Sequence, residues 1–93
     1  MLTWDEAKRQ TNIANHGFDF AGAEAIFDHP VLAEEDDREA YGEQRINVIG
    51  WLHGRMMFFT YRDDGDDVHA ISLREAEPYE IKRYQKILSK HRL

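Results

Sequence analysis

Two runs of alternating character, Arg55 to Arg62 and Val68 to Arg74, flank the turn Asp63-Asp64-Gly65-Asp66-Asp67, and this pairing constrains the chain more than any other feature. Side chains alternate between the two faces of a strand, so one face of such a hairpin must gather the bulk. Gly65 lacks a Cβ and suits a positive φ. With the turn centred on it, residues 62, 60, 58 and 56 are expected opposite 68, 70, 72 and 74. The remaining set, Met57, Phe59 and Tyr61 with His69, Ile71 and Leu73, is bulky and is expected to face the core. The other face carries Thr60, Arg62, Ala70, Ser72 and Arg74 beside Met56 and Phe58. It is too polar and too uneven in volume for a complete core, and is expected to be wholly or partly open. A two-residue turn at His53-Gly54 extends the sheet back to Gln44–Trp51. That puts Ile46, Val48 and Gly50 on the core face and Arg45, Asn47, Ile49 and Trp51 on the open one, with Arg45 beside Arg62.

The rest of the chain supplies helices. Trp4 to His16 reads as a first helix, with Asp5 and Glu6 complementing the dipole in its opening turn and Gly17 as a left-handed stop. A second helix, Phe20 to Asp28, is expected behind an Asp19 cap, with Phe20, Ala23 and Phe27 as its buried stripe and His29-Pro30 as its end. Val31 to Glu35 reads as a short edge strand and Asp36 to Glu43 as a polar loop. Pro78 is tolerated in the first turn of a final helix running from about Glu77 to His91, where Ile81, Tyr84 and Leu88 recur at helical spacing. The fold class is therefore α+β: two N-terminal helices, an antiparallel sheet of about four strands, and a C-terminal helix.

Composition narrows the biology. With 93 residues, 42% of them hydrophobic, the chain suits one domain spanning 1–93 that needs neither metal nor disulfide. The absence of cysteine excludes a disulfide framework and a thiolate metal site, and fits the cytoplasm as the expected compartment. No apolar run approaches the roughly 18 residues of a membrane span, and Met1 to Glu6 has neither the charged nor the apolar region of a signal peptide. A net charge of -6 argues against broad phosphate neutralisation, but the acidity is uneven. Residues 1–43 hold three basic residues against eleven acids, whereas residues 44–93 hold nine against seven. From Pro78 onward Lys82, Arg83, Lys86, Lys90 and Arg92 oppose only Glu80, which reads either as a solvated helix face or as a basic element for RNA.

Few residues have the character of reactive groups. Lys8, Asn12 and His16 are spaced i, i+4, i+8 along one side of the first helix. They form either a site wall or a set of local helix-end interactions, and Asn12, a poor mid-helix residue, points to a tertiary role. Arginine donates a planar fork of hydrogen bonds and stays charged, so Arg45, Arg62 and Arg74 on one face suggest an anion-binding surface. Arg62 and Arg74 are expected to be offset by about six residues, on the order of 20 Å, which suits an extended chain of phosphates. The alternative is that these arginines pair with the turn acids, or with Glu75 and Glu77, as surface ion pairs of little energetic worth. Tyr84 sits on the apolar stripe of the last helix. The histidines lack metal-ligand spacing, the Asp63–Asp67 run lacks the ligand order of a calcium loop, and no phosphate loop or nucleophile elbow is present.

Trp4-Asp5-Glu6-Ala7-Lys8, Asn12, His16-Gly17, Phe20, Ala23 and Phe27, followed by Glu43, Arg45, Gly50, Arg62, Ile71-Ser72, Arg74, Ala76, Glu80 and Tyr84, resemble the BrnT family of type II toxins across nearly the whole chain. The resemblance implies a RelE-like fold and a metal-independent endoribonuclease without cofactors that stops translation. It also implies a BrnA-like antitoxin that neutralises the toxin and carries the DNA-binding domain through which the complex reaches its operator, with a dimer possible inside that complex. The chain departs from the family where members usually carry an arginine ahead of the ISxR segment: here stands His69, followed after Arg74 by the acid Glu75. Both changes thin the positive charge.

Together, the same-face arginines and the resemblance suggest attack of a ribose 2′-hydroxyl on the adjacent phosphate. Arg62 and Arg74 would bind and polarise phosphates, Lys8 would add charge, and Glu43 or His16 would act as base, between which the sequence does not choose. Arg45 and Tyr84 rank second. A different class of function is a non-catalytic module whose open face, with Trp51, Ile49, Met56 and Phe58, docks a partner chain.

Overall fold

The hairpin forms, and its neighbours extend it into a five-stranded sheet. The computed structural model describes residues 1–36 and 43–90; most of the loop expected over 36–43, and the helix end expected at His91, lie outside them. The strands are β1 (Leu2–Thr3), β2 (Leu32–Glu35), β3 (Arg45–Leu52), β4 (Arg55–Asp64) and β5 (Asp67–Glu75), in the spatial order β1-β5-β4-β3-β2. Helix α1 (Glu6–His16) precedes a 3-10 helix (Ala23–Asp28), and α2 (Pro78–Lys90) closes the chain.

The α+β class holds, with two corrections. The sheet has five strands and is mixed, because Leu2–Thr3 adds to β5 in parallel. A two-residue strand carries no readable period. The second N-terminal helix is a six-residue 3-10 helix whose N-cap, Gly22, is left-handed at φ 85. Asp19 does not cap it: its carboxylate receives the Arg9 guanidinium at 2.8 Å through both oxygens, and Oδ1 also accepts the Ala21 N–H. The Arg9 hydrogen bonds, with the Ala21 amide, hold the Asp19 carboxyl at about 2. Within this helix Ile26 is fully buried, whereas Phe27, expected on the buried stripe, is 40% exposed.

Register decides which side chains share a face. The β3–β4 turn falls at His53-Gly54, both at positive φ, and pairs Arg45 with Arg62 as expected. The β4–β5 turn is a two-residue one at Gly65-Asp66 rather than one centred on Gly65, with Asp64 opposite Asp67. The pairing is therefore slipped by one, and a bulge opposite Thr60 and Tyr61 leaves Ile71 as an extra residue between Ala70 and Ser72. Beyond the bulge Ser72 faces Thr60 and Arg74 faces Phe58. Several assignments change as a result, and Ile71, expected in the core, is instead the half-buried extra residue beside Ser72. Ala70, expected on the open face, is fully buried in the core, and His69, expected in the core, lies opposite Arg62 on the other face.

The main core lies between the sheet and the segment from Phe18 to Ile26, with Phe20, Ala23, Ile26, Val48, Leu52, Met57, Phe59, Ala70 and Leu73 buried together. Gly50 is needed here. A Cβ at this position would stand 2.9 Å from Val31 Cγ1 and 3.2 Å from Ile26 Cγ1. Gly50→Ala is expected to destabilise the fold by about 1–3 kcal/mol through overpacking, measured by urea unfolding. The opposite face is half covered, because α2 lays Tyr84, Ile81 and Leu88 over Ile49, Met56, Ala76, Phe58 and Leu32. Of the apolar residues expected to be open for docking, Ile49 and Met56 are thus buried beneath α2, and Trp51 remains 45% exposed.

At the outer edge of β5, beyond the reach of β1, the side chain of Asn12 takes the place of a strand. Its Oδ1 accepts the Leu73 N–H at 3.0 Å, and its Nδ2 donates to Leu73 O at 2.9 Å and to Phe18 O at 2.8 Å. A buried asparagine in mid-helix is explained by this pairing: it docks α1 on the sheet and satisfies a backbone edge that would otherwise lack partners.

Candidate functional site

The half of the second face that α2 leaves uncovered is organised in cross-strand rows. Thr3, His69, Arg62 and Arg45 stand in register across β1, β5, β4 and β3. The next row is Ser72, Thr60, Asn47 and Glu34, and Arg74, Phe58, Ile49 and Leu32 form a third at the margin of α2. Each row exists because alternation brings every second residue to this side, and the bulge restores the parity that the turn had slipped.

In the first row, two arginines share one carboxylate. Glu43 accepts Arg45 Nε at 3.1 Å through one oxygen and Arg62 Nη1 at 3.4 Å through the other. Arg62 also forks onto Asp64, with Nε to Oδ1 at 2.7 Å and Nη2 to Oδ2 at 2.8 Å. The hydrogen bond from Arg45, followed by that from Arg62, holds the Glu43 carboxyl below its ordinary value, and the Asp64 fork raises the Arg62 guanidinium above its own. All four side chains remain between 21% and 35% exposed, so the charges are paired yet reachable from solvent. The expectation that Arg62 pairs with a turn acid holds, but the pairing does not remove it from the surface. His69 completes the row: its Nδ1 is hydrogen-bonded to Thr3 Oγ1 at 2.8 Å.

The middle row links two clefts. Thr60 Oγ1 donates to Asn47 Oδ1 at 2.6 Å across the floor. On the β5 side Ser72 and Ile71 share a cleft of about 270 Å³ with Lys8, Thr11, Asn12, Asn15 and His16. The expected wall of Lys8 and His16 thus borders the same face, while Asn12 is spent on Leu73. On the β3 side, Asn47 opens into a cleft of about 240 Å³ under α2 beside Glu34, Tyr79, Glu80 and Arg83, where Arg83 pairs with Glu34.

Arg74 is placed differently from Arg62. Its guanidinium lies 4.1 Å from the Phe58 ring centroid and forks onto Glu80, Nη1 to Oε1 at 2.9 Å and Nη2 to Oε2 at 3.0 Å. Its ionic partner is Glu80 on α2, six residues away, rather than Glu75 or Glu77. Since Arg74 faces Phe58, it is offset from Arg62 by four residues, roughly 13 Å rather than 20 Å. Burial pushes the Glu80 carboxyl up, but the Arg74 fork and the Glu77 amide outweigh it and leave the group below its ordinary value. A carboxyl depressed in the folded state stabilises fully above the ordinary carboxylate range and loses that contribution as pH falls through its folded value. Glu80→Gln is accordingly expected to cost about 2 kcal/mol at pH 7. The difference from the parent chain should shrink on acidification, read from urea midpoints across pH.

Tyr84 stands apart from these rows. Its hydroxyl donates to Pro30 O at 2.8 Å, burial raises its phenol above the ordinary value, and the ring packs among the residues under α2. The structure brings Glu43, Arg45 and Arg62 together, sets Arg74 at the margin and Lys8 with His16 along the β5 side. His69, Thr3, Ser72, Thr60 and Asn47 were not singled out as site residues from sequence. The parity of Asn47 and Thr60 was legible, whereas His69 needed the slipped turn. Among the described residues no group of three or more histidine, aspartate or glutamate side chains converges as a metal site would, and no helix is long and apolar enough to cross a membrane.

Comparison with known proteins places this face in context. Residues 4–80 match the family described as the ribonuclease toxin BrnT of type II toxin-antitoxin systems. The crystal structure of the Brucella abortus ribonuclease toxin BrnT is similar at 34% sequence identity with a TM-score of 0.61, over 82% of this chain and 95% of that one. No curated protein sequence matches the chain.

Proposed function

This chain belongs to the BrnT family of ribonuclease toxins of type II toxin-antitoxin systems, and on that premise we propose that it is an endoribonuclease whose active face is the open half of the sheet. The observation that carries the reading is the pair of in-register arginines, Arg45 and Arg62, bridged by Glu43 and half-open to solvent. A phosphodiester entering this row replaces Asp64 on the Arg62 fork, since phosphate offers the same paired acceptors. Arg62 then stabilises the charge that builds on phosphorus as the 2′-hydroxyl attacks, and Arg45 holds the same or the adjoining phosphate. Glu43, deprotonated and poised between them, takes the 2′-proton. Arg74, stacked on Phe58 and pinned by Glu80, binds the next stretch of backbone, and Lys8, with His16 beside it, forms the border beyond Ser72. Charge stabilisation and proton transfer suffice for this chemistry, so cleavage proceeds without a metal and persists in chelator.

Membership of a type II system implies an antitoxin partner. We propose that this is a BrnA-like protein that neutralises the toxin by covering this face, reaches operator DNA through its own domain, and assembles with the toxin as a dimer of pairs. Translation stops because the cleaved RNA is no longer read, and the cytoplasm is the site of action.

The test is incubation of the purified chain, with and without chelator, on end-labelled RNA. Cleavage leaving 2′,3′-cyclic phosphate ends is the expected outcome. RNA left intact would overturn the proposal and favour a binding module.

A further inference from the structure

His69 occupies a position that the reaction needs filled. Transfer of the phosphoryl group from the 5′-oxygen to the 2′-oxygen removes one proton and requires another: the P–O2′ bond forms as Glu43 accepts the 2′-proton, and the P–O5′ bond breaks as the leaving oxygen gains one. Arg45 and Glu43 lie on one side of Arg62 and His69 lies directly opposite on the other, so a phosphate held by Arg62 has a carboxylate and an imidazole on its two flanks.

We infer that His69 is the acid that protonates the leaving 5′-oxygen, with Thr3 as the residue that positions it. The inference rests on the ribonuclease reading above and assigns the second proton transfer of that same site. Thr3 Oγ1 lies 2.8 Å from Nδ1, so Nδ1–H to Thr3 leaves Nε2 as the atom that exchanges the proton; Nε2 has no hydrogen-bond partner among the described residues. The anchor is built into the fold. β1 is fixed in register by Leu2 opposite Val68 and Thr3 opposite His69, by the Val68 N–H to Met1 O bond at 2.9 Å, and by the terminal ammonium donating to Asp66 O at 2.9 Å. The imidazole is half-buried. The charged groups set around it are Arg62 and Asp64 from β4 and the terminal ammonium with Asp67.

An RNA with sulfur in place of the scissile 5′-oxygen provides the test, because a thiolate leaves without a proton. His69→Asn is expected to slow cleavage of ordinary RNA by on the order of 10²-fold, to flatten the limb of the pH–rate profile that an imidazole contributes between about pH 5 and 8, and to cleave the sulfur-substituted RNA within a few-fold of the parent chain. Thr3→Val keeps the imidazole and is expected to lose roughly tenfold on ordinary RNA, again with the sulfur substrate spared. Equal losses on both substrates, or an unchanged pH profile in His69→Asn, overturn the assignment to His69 while leaving the ribonuclease reading intact. A parent chain that cleaves neither RNA overturns both.

Discussion

Arg62→Ala is expected to lower RNA cleavage by on the order of 10²–10³-fold, the largest functional effect among single substitutions on this face. Among the described residues Arg62 is the one arginine with cross-strand neighbours on both sides, His69 on β5 and Arg45 on β3, and its fork already fits the paired oxygens of Asp64. Removing it releases Glu43 from one of its two partners and, on the proposed mechanism, takes away the donor for the transition-state charge at the centre of the row. Arg62→Lys keeps the charge but not the fork, and is expected to recover about tenfold over alanine without reaching the parent rate. The fold should barely register the change, because the Asp64 and Glu43 pairs are partly exposed and such pairs contribute within about 1 kcal/mol. Cleavage of labelled RNA, read beside the urea midpoint of each variant, separates the two effects. A midpoint that falls by several kcal/mol, or a rate that does not fall, contradicts this role for Arg62.

Asn12→Ala is expected to show the converse pattern, destabilising the fold by about 3 kcal/mol. The amide makes three hydrogen bonds, to the Leu73 N–H, Leu73 O and Phe18 O, at a site only 5% exposed. Truncation strands a buried donor and two acceptors, each worth about 1–3 kcal/mol when unsatisfied, with entering water recovering part. Asn12→Asp keeps the acceptor for the Leu73 N–H but turns a carboxylate toward two carbonyls, and is expected to be at least as damaging at neutral pH. Equilibrium unfolding measures both. A loss below about 1 kcal/mol in Asn12→Ala would mean that α1 docks by other means.

The sequence carried much of this, unevenly. The His53-Gly54 turn set β3 against β4 correctly, since a two-residue turn leaves only one register, and the Arg45–Arg62 pair followed. The Asp63–Asp67 segment offered several placements for Gly65, and the bulge at Ile71 has no periodic signature, so everything on β5 before it was assigned to the wrong face. His69 was hidden by that error alone. The Arg74–Glu80 fork links a strand to a helix, and no local spacing rule covers such a junction. Asn12 was conspicuous as a poor helix former, but its partner lies 61 residues away at Leu73. The end of helix α1 was legible from its Gly17 stop, but the helix starts at Glu6 rather than Trp4, and Asp5, read as part of the opening turn, is its N-cap and accepts the Lys8 N–H.

The edges of the sheet govern how this chain behaves among its own copies. β5 would present a long row of backbone donors and acceptors, but β1 covers its first residues, the bulge interrupts the ladder, and Asn12 occupies Leu73. β2, at the other end, is four residues long and ends in Glu34 and Glu35. One margin is sealed and the other is short and acidic, so neither invites a neighbouring strand. A sheet with such margins resists edge-to-edge pairing with copies of itself.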